Sequence, residues 1–233
     1  MSESWLVFET SGRVGKLGLA RDGTIVRSRR LEETRRLARD LAPTVSELLA
    51  EEVLQPKEIA GVMVSIGPGS YTGLRVGITS AKSFAYATGC KLIAVPTFAA
   101  IALQAPDEAR EVWVIADALQ GMIYVQRLSG SDGIPLDELR IERAEEVLPQ
   151  LPAEAWITGP GLAVHAKWLP ANARVASEVD WEPTVESVLR AGRGIAPVSR
   201  EELFALEPLY LRGSSAEEKA KANEPRGGPA VRR

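Results

Sequence analysis

The sequence predicts an α/β protein with mixed sheets flanked by helices. Three observations carry this. Two short apolar runs meet at Asp22-Gly23, a pair that tolerates positive φ and marks a hairpin. The run Ile59 to Ile66 is continuously apolar, as in a strand buried on both faces. Between and after such runs lie stretches with helical spacing of apolar residues. Antiparallel strands followed by parallel strand–helix units give a mixed sheet with helices on its faces.

Trp5 to Thr10, Val14 to Ala20 and Thr24 to Leu31 read as three antiparallel strands. A helix follows from Glu33 to Glu52, with Leu37, Leu41, Val45, Leu48 and Leu49 on one stripe and Pro43 inside it as a point of kinking. Ile59 to Ile66 is a strand, Thr72 to Thr88 a helix, Lys91 to Val95 a strand, and Pro96-Thr97 opens a helix to Gln104. An acidic, Pro-containing linker spans Ala105 to Glu111. Strands at Glu111 to Ala116 and Met122 to Leu128 flank the turn Ala118 to Gly121. A short strand near Leu139 to Ile141, a helix at Ala144 to Leu151, a strand at Ala155 to Thr158 and a helix at Pro183 to Ala191 complete the pattern. The expected division is a first lobe over 1–105, a smaller second lobe over 106–212, and a disordered tail over 213–233. The tail from Ser214 has five basic and three acidic residues and one large aliphatic, Val231. It has too little apolar area to offset its chain entropy.

Composition narrows the chemistry. The chain has 233 residues, 45% hydrophobic and 25% charged, with 28 Lys+Arg against 31 Asp+Glu. The tail carries +2 of the net −3, which leaves −5 for the rest. An autonomous nucleic-acid binder usually shows a basic footprint, so that class is disfavoured. Cys90 is the one cysteine and His165 the one histidine. Intrachain disulfides, Cys-rich zinc sites and His–His metal motifs are therefore excluded by counting. The N-terminus lacks the charged and apolar regions of a signal peptide. No apolar run approaches the ~20 residues of a membrane span, so a cytoplasmic protein is expected. The arginines from Arg27 to Arg39 alternate with acids, as on a solvated, ion-paired face. His165 and Cys90 have no nucleophile or base nearby in sequence and read as structural.

Two segments stand out. The first is Ser65-Ile-Gly-Pro-Gly-Ser-Tyr-Thr-Gly-Leu-Arg-Val-Gly77, between a buried strand and a helix. Such junctions can present N–H groups to an anion. The spacing Gly67, Gly69, Gly73 matches neither the P-loop nor the dinucleotide fingerprint. A tight strand-to-helix connection is the first reading and phosphate binding the second. In the helix that follows, Gly73, Gly77, Ala81 and Ala85 recur every fourth residue. Glycine in a helix costs about 1 kcal/mol relative to alanine, so close approach of another backbone must compensate. That backbone is either this chain's own or a partner's. The second segment is Glu9-Thr10-Ser11 at the end of the first strand. With Asp117 at a later strand end, Glu9 could hold Mg²⁺ near a nucleotide phosphate; turn chemistry is the plainer reading of both acids.

The glycine block, with Leu92-Ile-Ala-Val-Pro-Thr97, Ala116-Asp-Ala118, Gly121, Tyr124 and Glu207-Pro-Leu-Tyr-Leu-Arg212, resembles the TsaB (YeaZ) family of tRNA threonylcarbamoyladenosine biosynthesis proteins. The resemblance runs from about residue 5 to 212. It implies an actin-like, Hsp70-like and sugar-kinase-like fold of two ribonuclease-H-like lobes. It also implies a non-catalytic accessory subunit, paralogous to the catalytic TsaD, with a TsaE-like ATPase as further partner. TsaD transfers a threonylcarbamoyl group to the adenosine next to the anticodon; the accessory chain meets tRNA only through the complex, can pair with itself, and holds no tight cofactor, since the complex uses ATP and Mg²⁺. The catalytic relative's paired metal-binding histidines are absent. Three positions depart from the family: Glu9-Thr10-Ser11 for Asp-Thr-Ala, Glu33-Thr34 where a histidine is usual, and Asp117-Ala118-Leu119 for Asp-Ala-Arg. The cofactor candidates are Glu9, Thr10 and Ser11, with no catalytic or metal residue expected. The expected partner interface is the helix Thr72–Thr88 with its neighbour Glu33–Glu52, through Leu37, Leu41, Leu48, Gly73, Gly77, Ala81 and Ala85. The competing expectation is a Mg-dependent ATPase or carbamoyl-transfer enzyme using Glu9 and Asp117.

Overall fold

The structure, a computed structural model, describes residues 3–31 and 36–209. The expected helix start at Glu33, the family difference at Glu33-Thr34, the end of the Glu207–Arg212 motif and the expected tail lie outside the described residues.

Strands β1 (Ser4–Glu9), β2 (Lys16–Arg21) and β3 (Thr24–Arg30) form the expected meander. Asp22 and Gly23 turn the β2–β3 hairpin at φ 52° and 78°, the left-handed pair that matches strand twist. Helix α1 (Leu37–Glu51) follows and runs through Pro43. Then come β4 (Ile59–Ser65), α2 (Tyr71–Thr88), β5 (Lys91–Val95) and α3 (Thr97–Ala102). The first sheet has the order β3-β2-β1-β4-β5, with β4 parallel to both β1 and β5. The ends of α2 are written in its sequence. The Ser70 hydroxyl accepts from the Gly73 N–H at 3.2 Å, and Gly89 closes the helix at φ 75°, as a left-handed C-terminal cap does.

The second sheet contains β6 (Glu111–Asp117), β7 (Met122–Ser129), β8 (Arg140–Arg143), β9 (Trp156–Thr158) and β10 (Arg174–Val175), ordered β10-β9-β6-β7-β8. Helices α4 (Ala144–Val147), α5 (Leu162–His165) and α6 (Val185–Ala191) accompany it in sequence. The expected helix Ala144 to Leu151 is shorter: Pro149 starts a 3₁₀ turn over Leu148–Gln150. Strand β10 and helix α5 are additional to the expected pattern; both are too brief to show periodicity.

Alternation along the strands separates two cores. Leu6, Phe8, Val62, Val64 and Leu92 face α1 and α2. Val7, Met63, Ile93 and Val95 face Val185, Val188 and Leu189 of α6. Helix α3 is buried at all six positions, with Phe98 and Ile101 packed on β6 and β7. Thus α3 and α6 lie between the sheets. The expected second lobe over 106–212 therefore differs from the packing. Helix α6 follows the second sheet in sequence but covers the first, because its Val185, Val188 and Leu189 complete the face that α1 and α2 leave open.

Candidate functional site

The carboxyl end of β1 is sealed. Glu9 is fully buried, and its Oε1 accepts from the Ser11 N–H at 2.7 Å and the Ser11 hydroxyl at 2.6 Å. Burial pushes the Glu9 carboxyl above its ordinary value; Ser11, Ser65 and Lys16 pull the other way without cancelling it. Glu9 Oε2 and Thr10 Oγ1 are buried with no hydrogen-bond partner among the described residues. The glycine loop closes over this end: the Ser70 N–H donates to the Ser11 carbonyl at 2.7 Å. A Cβ on Gly69 would overlap the Ser11 carbonyl, and one on Gly73 or Gly77 would overlap Thr10.

This geometry bears on two expectations. A phosphate or Mg²⁺ needs a cradle of open N–H or carboxylate groups. Here the Ser70 N–H is taken by the Ser11 carbonyl and Gly69, Gly73 and Gly77 pack against Ser11 and Thr10, so Glu9, Thr10 and Ser11 lie buried beneath the loop. Asp117, the proposed second acid, belongs to the other sheet. Its Oδ1 lies 2.9 Å from Nε2 of the buried His165 and accepts from the Leu119 N–H at 3.2 Å. The described residues contain no group of three or more His, Cys, Asp or Glu able to hold a metal ion.

The second expectation concerns the small-residue stripe. Gly73, Gly77, Ala81 and Ala85 face inward, and Ala81 is 0% exposed. The closely approaching backbone is β1 of the same chain, which the glycines admit at Thr10. Leu37, Leu41 and Leu48 are likewise core residues, each at most 2% exposed. These residues are taken up in the core, although Leu41 also floors the groove between the two helices.

The surface that those helices do offer lies on their other faces. A groove of about 600 Å³ runs between α1 and α2. Ala42, Ser46 and Ala50 form one wall; Thr79, Ser80 and Ser83 form the other. Val45, Leu49 and Phe84 line its depth, and no lining residue is charged. An exposed helix face normally carries charged residues. Small uncharged side chains instead let another helix approach, since interaxial distances of about 8–10 Å depend on the residues at the contact. The signal was legible: Ala42, Ser46 and Ala50 recur every fourth residue, as do Thr79 and Ser83. The glycine–alanine stripe of α2 lies on the opposite, buried face.

Residues 31–134 match the family model of TsaD, described as tRNA N6-adenosine threonylcarbamoyltransferase. YeaZ from Pseudomonas aeruginosa superposes with a TM-score of 0.75 at 23% identity, over 90% of this chain and 100% of that one. The Escherichia coli tRNA threonylcarbamoyladenosine biosynthesis protein TsaB is 26% identical over 239 residues, 94% of this chain and 99% of its own length. An uncharacterized protein of Mycobacterium tuberculosis is 30% identical over 213 residues, 91% of this chain and 92% of its own. The chain belongs to the TsaB family. The YeaZ likeness places the two five-stranded sheets in the actin-like, two-lobe fold that the sequence implied. Within this TsaB-family chain, the glycine block forms a strand–helix clamp and the open feature nearby is the α1–α2 groove. No helix among the described residues is long and apolar enough to cross a membrane.

Proposed function

We propose that this chain is a non-catalytic accessory subunit of tRNA threonylcarbamoyladenosine synthesis that binds and activates a TsaD-like catalytic subunit. The observation that carries this reading is the uncharged groove between α1 and α2. It lies between α1 and α2 of the first lobe, and a paralogue with the same lobe would bring a matching helix pair. The buried end of β1 supports the accessory role, because Gly69, Gly73 and Gly77 pack the loop and α2 against Ser11 and Thr10 and leave the Glu9 carboxyl without solvent exposure. In this reading a TsaE-like ATPase and tRNA meet the chain through the complex, and ATP and Mg²⁺ serve the complex rather than this subunit. Without the catalytic subunit, the same groove pairs two copies of the chain.

Ser83→Arg tests the proposal. Ser83 is exposed on the groove wall, so a long cation there blocks the seam without entering the core. Mixed with a TsaD-like subunit, the wild type should co-elute on size exclusion and support tRNA modification in a mixture with the TsaE-like ATPase, ATP and Mg²⁺. The variant should elute alone and support none. Co-elution and full activity of the Ser83→Arg protein would overturn the assignment.

A further inference from the structure

After α6 the chain meets the free edge of β5 at Leu92, passes over α2 at Lys82 and Tyr86, and returns to the sheet at Ile66, just beyond β4. The Val198 N–H donates to the Leu92 carbonyl at 2.8 Å, and the Leu209 N–H donates to the Ile66 carbonyl at 2.7 Å. Between these two attachments, Leu203 is buried in the core cluster with Ala85 and Leu92. The Lys82 ammonium of α2 donates to the carbonyls of Phe204 at 2.7 Å and Leu206 at 3.0 Å. The Phe204 ring meets the Tyr86 ring edge-on at 5.3 Å. Phe204 remains 63% exposed and Tyr86 58%.

Inside, the segment is self-sufficient. Ser199 and Glu202 cap each other: the Ser199 hydroxyl donates to Glu202 Oε2 at 2.7 Å, and the Glu202 N–H donates to Ser199 Oγ at 3.2 Å. The Leu203 and Leu206 N–H groups donate to the Ser199 and Glu202 carbonyls, both at 3.0 Å. None of these bonds involves the rest of the molecule. The attachment outward is small: two backbone bonds, Leu203 deep in the core with Val198 and Leu206 packed partly buried against the same cluster, one ammonium and one aromatic edge. Segments with few buried apolar contacts open at free energies well below global unfolding.

We propose that residues 198–209 form a latch that opens as a unit from the first sheet, with Lys82 as its clasp. Closed, the latch shields the outer edge of β5, where unpaired backbone groups would otherwise template pairing with another chain. Open, it uncovers that edge and the seat of Leu203 together, while its internal bonds persist.

Cys90 supplies a reporter. It is the one cysteine of the chain, half-buried, and it lines a crevice of about 220 Å³ beneath the latch with Val198, Arg200 and Leu203. Thiol reactivity follows access as well as ionisation. The test measures the rate at which a disulfide reagent labels Cys90 in the full-length native protein, beside hydrogen exchange of individual amides. Lys82→Met removes the charge-assisted bonds to both carbonyls. The labelling rate should rise about tenfold, the change that a loss of about 1.4 kcal/mol produces. The Val198 and Leu209 amides should exchange faster by the same factor, while those of Val62 and Val64 in β4 stay at the wild-type rate. Lys82→Arg should restore protection, and Leu203→Ala should reproduce the opening by a second route. Wild-type labelling and exchange in both Lys82→Met and Leu203→Ala would overturn the proposal. Acceleration of the Val62 and Val64 amides in step with the latch amides would overturn it too, because the segment would then unfold only with the whole.

Discussion

Ala81→Arg and Ser83→Arg place the same cation two residues apart on α2, one inward and one outward. Ala81 is 0% exposed and belongs to the cluster that holds Phe8, Leu48, Val64 and Ile78. The incoming side chain has no void to enter, and overpacking of this kind costs about 1–3 kcal/mol. Its guanidinium would have no buried acid in that cluster, and an uncompensated buried charge costs about 3–5 kcal/mol. Together about 4–8 kcal/mol is set against a total stability of about 5–15 kcal/mol. Ala81→Arg should therefore be unfolded or close to it at 37 °C. Ser83→Arg sits on the surface and should shift stability by no more than about 0.5 kcal/mol. Urea titration followed by tryptophan fluorescence reads both, and size exclusion with the TsaD-like subunit reads pairing. An Ala81→Arg protein with the wild-type midpoint and lost pairing would refute the reasoning, since it would put the glycine–alanine stripe on the outside.

Three further outcomes are expected. The Glu9 carboxyl is raised above 4.5 by burial, so its neutral form favours the fold: that contribution is complete below about pH 4.5 and is lost as pH rises through the folded-state value. Glu9→Gln removes the titration, so the thermal midpoint of the variant should gain on the wild type as pH rises above 4.5; a constant gap would sink the idea. Gly73→Ala should destabilise the fold by about 1–3 kcal/mol despite alanine's better helix propensity, because its Cβ would meet the Thr10 carbonyl; a stabilised variant in thermal melts would show that β1 yields. Asp117→Asn should leave tRNA modification by the reconstituted complex near the wild-type rate, because Asp117 pairs with His165 and does not line the α1–α2 groove; loss of activity in a folded, pairing variant would revive the enzymatic reading.

The sequence carried the elements well where a local rule fixed them. Asp22-Gly23 located its hairpin, and the stripe Leu37, Leu41, Val45, Leu48 and Leu49 named the buried face of α1 without error. Periodicity also found the stripe on α2, yet periodicity cannot say which side of a helix faces the chain's own sheet. Thr10 decides that, and its contact with Gly77 joins residues far apart in sequence. The same limit hid the Asp117–His165 pair, whose members are 48 positions apart. It also hid the return of α6, because Val185, Val188 and Leu189 read as an ordinary apolar stripe that could cover either sheet.

That return has a consequence for the order in which the protein takes shape on the ribosome. The face of the first sheet formed by Val7, Met63 and Ile93 is covered by residues 185–189, and its edge is dressed by residues 198–209. Everything between α3 and α6 is, in effect, an insertion into a unit whose two ends must find each other. Domains generally fold as units during synthesis, the N-terminal part first. Here the earliest-made strands emerge with one apolar side uncovered and stay so until residues 185–189 have left the exit tunnel. The interval in which that face stays uncovered during synthesis is therefore set by the length of chain between α3 and α6.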